Sequence, residues 1–219
     1  MKKIHTIYLL LFGFLSQAQN VIIPDANFKS ALVNTICTDT NGSGQPDDDV
    51  DTNNDGEIQI SEAKAVTHLF VGGQDITSLM GIEEFTNLEF LICDNNGIST
   101  LSFLQNPNLN SLSCGGNNLI DLDITQNPNL ELLYSFTNPL VNLDISQNTN
   151  LTHLIIPNNE IISLDLSQNE NLIFFDAENN QLINLDISQN PNLLRLNVKN
   201  NQLINLNVNI GRNENLSVM

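Results

Sequence analysis

Residues 119–202 read LIDLDITQNPNLELLYSFTNP, LVNLDISQNTNLTHLIIPNNE, IISLDLSQNENLIFFDAENNQ and LINLDISQNPNLLRLNVKNNQ, which are four successive copies of one 21-residue unit. Self-similarity at a short fixed period marks a solenoid, in which each coil stacks only on its neighbours. The spacing runs outward on both sides. Leu101, Leu122, Leu143, Leu164, Leu185 and Leu206 form one column at intervals of 21, and Leu88, Leu109, Leu130, Leu151, Leu172 and Leu193 form a second. Asn96, Asn117, Asn138, Asn159, Asn180 and Asn201 form a third. In one coil Leu151, Leu154, Ile156, Ile161, Leu164 and Leu166 alternate into a shared interior. Each contributes roughly 1.5–3 kcal/mol of burial before entropy is subtracted. The Asn columns fall at corners, where a side-chain amide can bond turn backbone.

Each unit holds two half-units, such as Leu119-x-x-Leu122-x-Ile124-x-x-Asn127 and Leu130-x-x-Leu133-x-Ser135-x-x-Asn138. This L-x-x-L-x-L-x-x-N form resembles the nested class of bacterial leucine-rich repeats, which implies coils extended on both faces. The opening coil, VTHLFVGGQDITSLMGIEEFTN, places Val66, Leu69, Val71, Ile76, Leu79, Ile82 and Phe85 inward over 22 residues. It resembles the internalin-type repeat, with GIEEFTN as a short helical turn at the back. The expected fold is therefore an α+β leucine-rich repeat solenoid. It is a right-handed β-solenoid of about seven coils over residues 66–219, roughly 30 Å long at the usual strand spacing. LINLNVNIGRNENLSVM begins a further coil without a polar cap, so the last coil is expected to be incomplete.

The first 18 residues read as a signal peptide, with Lys2 and Lys3, an apolar run over 7–15 and a Ser-Gln-Ala cleavage site. That run is too short to span a bilayer, and no Cys stands at the cleavage point for a lipid anchor. A secreted or cell-surface location follows. With 25 acids against 7 bases, the net charge of −18 disfavours nucleic acid and anionic membranes as partners. Three cysteines invite a disulfide in an exported chain. Cys93 and Cys114 share one inward slot of adjacent coils, where parallel Cβ vectors about 4.8 Å apart suit a disulfide poorly. Buried free thiols are the preferred reading, with Cys37 left over.

Residues 19–65 form the expected helical cap. Pro24 and Asp25 precede ANFKSALVN, in which Phe28, Ala31 and Leu32 share a helical face suited to covering the first coil. An acidic run follows. Residues 51–62 fit a twelve-residue calcium loop of the EF-hand kind. Asp51, Asn53 and Asp55 stand at positions 1, 3 and 5, Gly56 at the turn, Glu57 as a carbonyl donor, Gln59 direct or through water, and Glu62 at position 12. Hard oxygen donors suit Ca²⁺. The SEAKAVTHL stretch reads as the exit helix. A weaker second loop offers Asp39, Asn41, Ser43 and Asp47, and the tandem resembles thrombospondin type 3 calcium repeats. The competing reading of both loops is an acidic solvated insert.

Comparing copies within the chain separates the faces. The LDISQN half barely changes, whereas the other half varies at its outward positions. Those positions supply Phe90, Ile92, Leu132, Tyr134, Phe136, His153, Ile155 and Phe174, then Arg195 and Lys199. The pattern implies a concave binding surface with an apolar centre and a basic distal rim, unless the rings lean into gaps between coils. The partner is expected to be a protein, with a carbohydrate stacking on Tyr134, Phe136 and Phe174 as the alternative. Asp123, Asp144, Asp165 and Asp186 form an outward column on the constant half, read as a solvated edge that discourages lateral association. His68 and His153 lie on unrelated coils, and no activated nucleophile or phosphate loop is evident, so no enzyme is expected. The combination of IPDANFKSALVN, the calcium loop and LDISQN resembles cell-surface leucine-rich repeat proteins of Bacteroidota-type bacteria.

Overall fold

Parallel strands one coil apart build the molecule, seen in a computed structural model that describes residues 19–101, 106–208 and 216–218. The first strands are β1 (His68–Phe70), β2 (Phe90–Ile92), β3 (Ser111–Ser113), β4 (Leu132–Tyr134), β5 (His153–Ile155) and β6 (Phe174–Asp176). They are followed by β7 (Asn184–Asp186), β8 (Arg195–Asn197), β9 (Asn205–Asn207) and β10 (Ser217–Val218). The main sheet runs β1-β2-β3-β4-β5-β6-β8-β10. From β1 to β8, seven strands are joined by six turns of the chain. The expected signal peptide lies outside the described residues. So does most of the expected incomplete coil, although β10 adds beside β8 in register.

One buried residue sits at the centre of each strand from β1 to β6 and of β8, namely Leu69, Leu91, Leu112, Leu133, Leu154, Phe175 and Leu196. The inward set expected for the first coil is buried throughout, and Ile82–Glu84 forms the expected helical turn, of the 3-10 type. The leucine columns as far as Leu185 and Leu193, with Ile124, Ile145, Leu166 and Ile187, complete one continuous core, while Leu206 in the last coil is exposed. The nested expectation of two extended faces is corrected. Among the described residues of the constant half only β7 and β9 pair as strands. In every copy, β7 included, the Asp of this half starts an Asp-x-Ser/Thr turn, since Asp123, Asp144, Asp165 and Asp186 each accept from the amide two residues on.

The corner Asn column and a second, inner one (Asn106, Asn127, Asn148, Asn169 and Asn190) both donate hydrogen bonds across coils. Asn117 donates to the carbonyls of Cys93 and Cys114 at 3.0 Å each and accepts from the Ile98 amide. The same scheme recurs at Asn138, Asn159, Asn180 and Asn201. Neighbouring corner positions take left-handed backbone at Asn95, Thr137, Asn158, Asn179 and Asn200, with Gly116 in the third coil. Asn tolerates that region best among residues with a side chain. The Asn-rich composition thus follows from the turn.

In the cap, α1 (Ala26–Asn34) buries Phe28, Ala31 and Leu32 as expected and is capped by Asp25. The exit helix α2 (Ile60–Ala65) is shorter than SEAKAVTHL implied. Val66 and Thr67 are β-branched and turn extended, and His68 already belongs to β1. The cap joins the main sheet through Thr38, which bridges antiparallel to Leu69 and to Asp48. The three thiols are free and buried. Burial pushes Cys37 and Cys114 up to about 12, and Cys93 is raised as well.

Candidate functional site

The variable half-units bring their outward residues into two in-register columns. The first runs His68, Phe90, Ser111, Leu132, His153, Phe174 and Arg195. The second runs Phe70, Ile92, Ser113, Tyr134, Ile155, Asp176 and Asn197. Every residue of the expected face is therefore gathered on one side of the sheet, with Phe136 and Lys199 just past the ends of β4 and β8. His68 and Phe70 belong to the same face and escape the sequence reading. The signal that finds them is the repeat of T-H-L-F at 67–70 by T-H-L-I at 152–155.

The rings are half-buried rather than fully exposed, because they lean on one another. His68 stacks on Phe90 with centroids 5.6 Å apart, and Phe70 meets the same ring at 5.4 Å. His153 stacks on Phe174 at 6.1 Å and 10° between planes. In both places a threonine hydroxyl, from Thr67 or Thr152, lies 3.0 Å from the imidazole Nδ1. Phe136 leans back over Gly115, where any Cβ would collide with its ring. That position needs glycine for close approach. The lean that the competing reading anticipated is therefore present at Phe136, while Tyr134, Ile155 and Phe174 keep part of their surface open.

Charges on the face divide into held and free. Asp94 accepts from the Ser113 hydroxyl at 2.8 Å and the Gly115 amide at 2.6 Å. Burial raises its pKa even so. Asn197 Nδ2 donates to Asp176 at 3.2 Å and Glu178 at 3.0 Å. Arg195 and Lys199 are exposed, and the one ion pair among the described residues is Lys29–Glu57 at 2.6 Å, in the cap.

On the opposite half, the Asp column is exposed and its oxygens cap their own turns. The Thr125 hydroxyl and amide hold Asp123 below the usual carboxylate range. The Ser146 and Ser188 turns do the same for Asp144 and Asp186. Ile120, Ile162, Ile183 and Ile204 make an exposed apolar stripe on that half, which the sequence reading did not single out.

The two cap loops share one geometry. Asp39 accepts from the amides of Ser43 and Gly44, four and five residues on, as Asp51 does from Asp55 and Gly56. Asn41 and Asn53 each accept from the amide two residues ahead. Gly44 and Gly56 take positive φ of 78° and 81°. In the 51–62 loop, Gln59 links Asn53 to Asp55, and Glu57 turns to Lys29. Glu62 accepts from the Thr52 hydroxyl and from the Asn53 and Gln59 amides. The acidic side chains of Asp51 and Glu62 are only 3% and 7% exposed and have no basic partner among the described residues. Burial, then the charges of Asp48, Asp51 and Glu62, raises Asp49. This all-oxygen donor set with uncompensated charge fits a hard divalent cation in its chemistry. Its side chains are nevertheless turned onto the loop's own donors. Among the described residues no three or more His, Cys, Asp or Glu groups converge on one point. At the first loop, burial pushes Asp39 up, but the amides of Gly44, Ser43, Gly42 and Asn41 outweigh it and lower its pKa.

No protein-family model matches the sequence, and no curated protein does. Solved structures do. The functional domain of InlJ from Listeria monocytogenes, described as including a cysteine ladder, aligns with 30% identity and a TM-score of 0.64 over 92% of this chain. The internalin inlC2 from the same species aligns with 19% identity and a TM-score of 0.65, covering 94% of this chain and 98% of that one. TLR13 in complex with ssRNA13 aligns with 21% identity and a TM-score of 0.59, over 73% of this chain and 26% of that one. The chain spans 46% of the InlJ domain. It is a β-solenoid of the leucine-rich-repeat type. No helix of the described residues is long and apolar enough to cross a membrane.

Proposed function

We propose that the chain is an exported or cell-surface recognition module that binds a protein partner on the face carried by β1 to β8. One observation carries this reading. The outward column His68, Phe90, Ser111, Leu132, His153, Phe174 and Arg195 changes from coil to coil, while the LDISQN half is held nearly constant by its turn hydrogen bonds. Structure accounts for the constant half; the stacked, half-open rings of the other half suit an interface core. The related fold in TLR13 is seen with ssRNA13. Here a net charge of −18 opposes a polyanion of that kind. Export rests on the N-terminal segment. Catalysis has little support in the face, whose two histidines stack on phenylalanines and each pair with the hydroxyl of the threonine that precedes them in the chain, a local contact within one strand.

Calcium is proposed as a stiffener of the cap. Asp51, Asn53, Asp55, Glu57, Gln59 and Glu62 would hold one ion, with Asp39, Asn41, Ser43 and Asp47 as a second, weaker set. A bound ion would neutralise the buried carboxylates, and the chain's residues would supply only binding and order.

A carbohydrate partner is the second reading, favoured by the flat His153–Phe174 stack beside Tyr134. The test is binding of the exported chain to a panel of surface proteins and glycans, in calcium and in chelator, beside a Phe136→Ser/Phe174→Ser variant. Protein hits lost in the variant support the first reading. Glycan hits alone replace it with the second.

A further inference from the structure

The face repeats itself. His68 on β1 stacks on Phe90 of β2, and His153 on β5 stacks on Phe174 of β6, each with a threonine hydroxyl at 3.0 Å from Nδ1. Four strand steps separate the two stacks, roughly 19 Å at the usual spacing. Between them β3 presents the short side chains of Ser111 and Ser113, and β4 presents Leu132 and Tyr134. Beside the second stack alone stand Arg195, the register partner of Phe174, and Lys199.

We infer that the partner is an extended acidic protein segment laid along the solenoid axis and anchored at both stacks. This rests on the protein-binding reading above. The first anchor is an apolar or aromatic side chain against His68, Phe70 and Phe90. The second, about six extended residues further on, sits against Tyr134, His153 and Phe174. The segment's carboxylates lie past the second anchor, against Arg195 and Lys199.

Charge fixes the direction. The acids on this face are held by the protein's own donors, Asp94 by Ser113 and Gly115, and Asp176 and Glu178 by Asn197. The cations are exposed and have no ion-pair partner among the described residues. A carboxylate at the β8 end therefore meets unsatisfied donors, whereas a cation there meets two like charges. The wider field of a chain at −18 repels acidic segments that cannot reach those cations. At physiological salt that field fades beyond about 8 Å, while contact pairs persist. Affinity comes from the two apolar anchors, and selectivity from the acidic end.

The test is selection of a random twelve-residue display library against the full chain, followed by binding of the selected synthetic peptides. The expected peptides carry two large apolar residues five to seven positions apart and carboxylates outside only one of them. Phe90→Ser and Phe174→Ser each weaken binding at least about tenfold. Arg195→Glu with Lys199→Glu, both at exposed positions and checked by thermal unfolding, weakens it by a similar factor at low salt and less at high salt. Unchanged thermal unfolding of the Phe variants separates lost binding from lost structure. Peptides that bind this face through one anchor, or with basic residues at that end, overturn the inference and leave the protein-binding face standing. Peptides that bind the Phe136→Ser/Phe174→Ser variant as well as they bind the native chain, or no enriched peptides at all, also overturn the inference, and the surface-protein panel then decides the protein-binding face by itself.

Discussion

The Asp25 carboxylate joins two parts of the chain that lie 52 residues apart, accepting a 2.7 Å hydrogen bond from the Thr77 hydroxyl. Its Oδ2 also takes the amides of Thr77 and Ser78, while Oδ1 caps α1 through Asn27 and Phe28. One side chain therefore starts the cap helix and ties it to the first coil. Burial pushes its pKa up, but the Thr77 hydroxyl and then the amides of Phe28, Thr77 and Ser78 prevail, and it falls below 3.8. A depressed carboxylate contributes stability that is full above its unfolded value and is lost as pH falls through the folded one. Asp25→Ala is expected to cost about 1–2 kcal/mol at pH 7. The difference from the native chain in chemical unfolding should shrink below pH 3.8. A constant difference down to pH 2 would refute the latch.

The inner Asn ladder gives a second expectation. Asn169 is fully buried and donates to the carbonyls of Ile145 at 3.2 Å and Asn148 at 2.9 Å. Asn169→Ala leaves both carbonyls buried without that donor, at about 1–3 kcal/mol each. Asn171, exposed and donating to Thr149, is the control, and its Ala variant should stay within about 0.5 kcal/mol of native. Urea midpoints of the two variants make the comparison.

Thiol chemistry checks the core. Cys37, Cys93 and Cys114 are each fully buried and free, and burial pushes Cys37 and Cys114 up to about 12. An aromatic disulfide reagent at pH 8 should find no reactive thiol in the native chain and all 3 after unfolding. Rapid native reaction at Cys93 and Cys114 would mean that their coils part easily.

Calcium supplies the fourth expectation. Ligand at a hundred times its dissociation constant stabilises the folded state by about 2.7 kcal/mol. Calorimetry should show unfolding moved upward by calcium in the native chain, and little movement in Glu62→Gln. An identical shift in both would remove Glu62 from the ligand set.

Much of this was legible in the sequence, for a physical reason. A 21-residue period forces neighbouring copies into register, so the Leu and Asn columns, the sheet and the membership of the variable face all follow from spacing. Helix α1 follows from Pro24, Asp25 and one apolar stripe. Three things did not follow. The helix reading of SEAKAVTHL overran into β1, because nothing local but Val66 and Thr67 marks the stop; His68 and Phe70 were lost from the face with it. How far rings are open depends on their neighbours across coils, as at Phe136 over Gly115, and no single copy records that. The resemblance to nested repeats implied extended backbone on the constant half, yet among the described residues only β7 and β9 pair as strands there, and Asp186 of β7 makes the same turn as the unpaired copies.

Recognition by the variable face has one rival, the exposed isoleucine stripe of the constant half. The deciding measurement is binding of one surface-protein panel to three chains: native, Phe136→Ser/Phe174→Ser, and Ile162→Ser/Ile183→Ser. Hits of the native chain are expected to disappear in the first variant and persist in the second. Hits that persist in the first and disappear in the second would contradict it and move recognition to the LDISQN side.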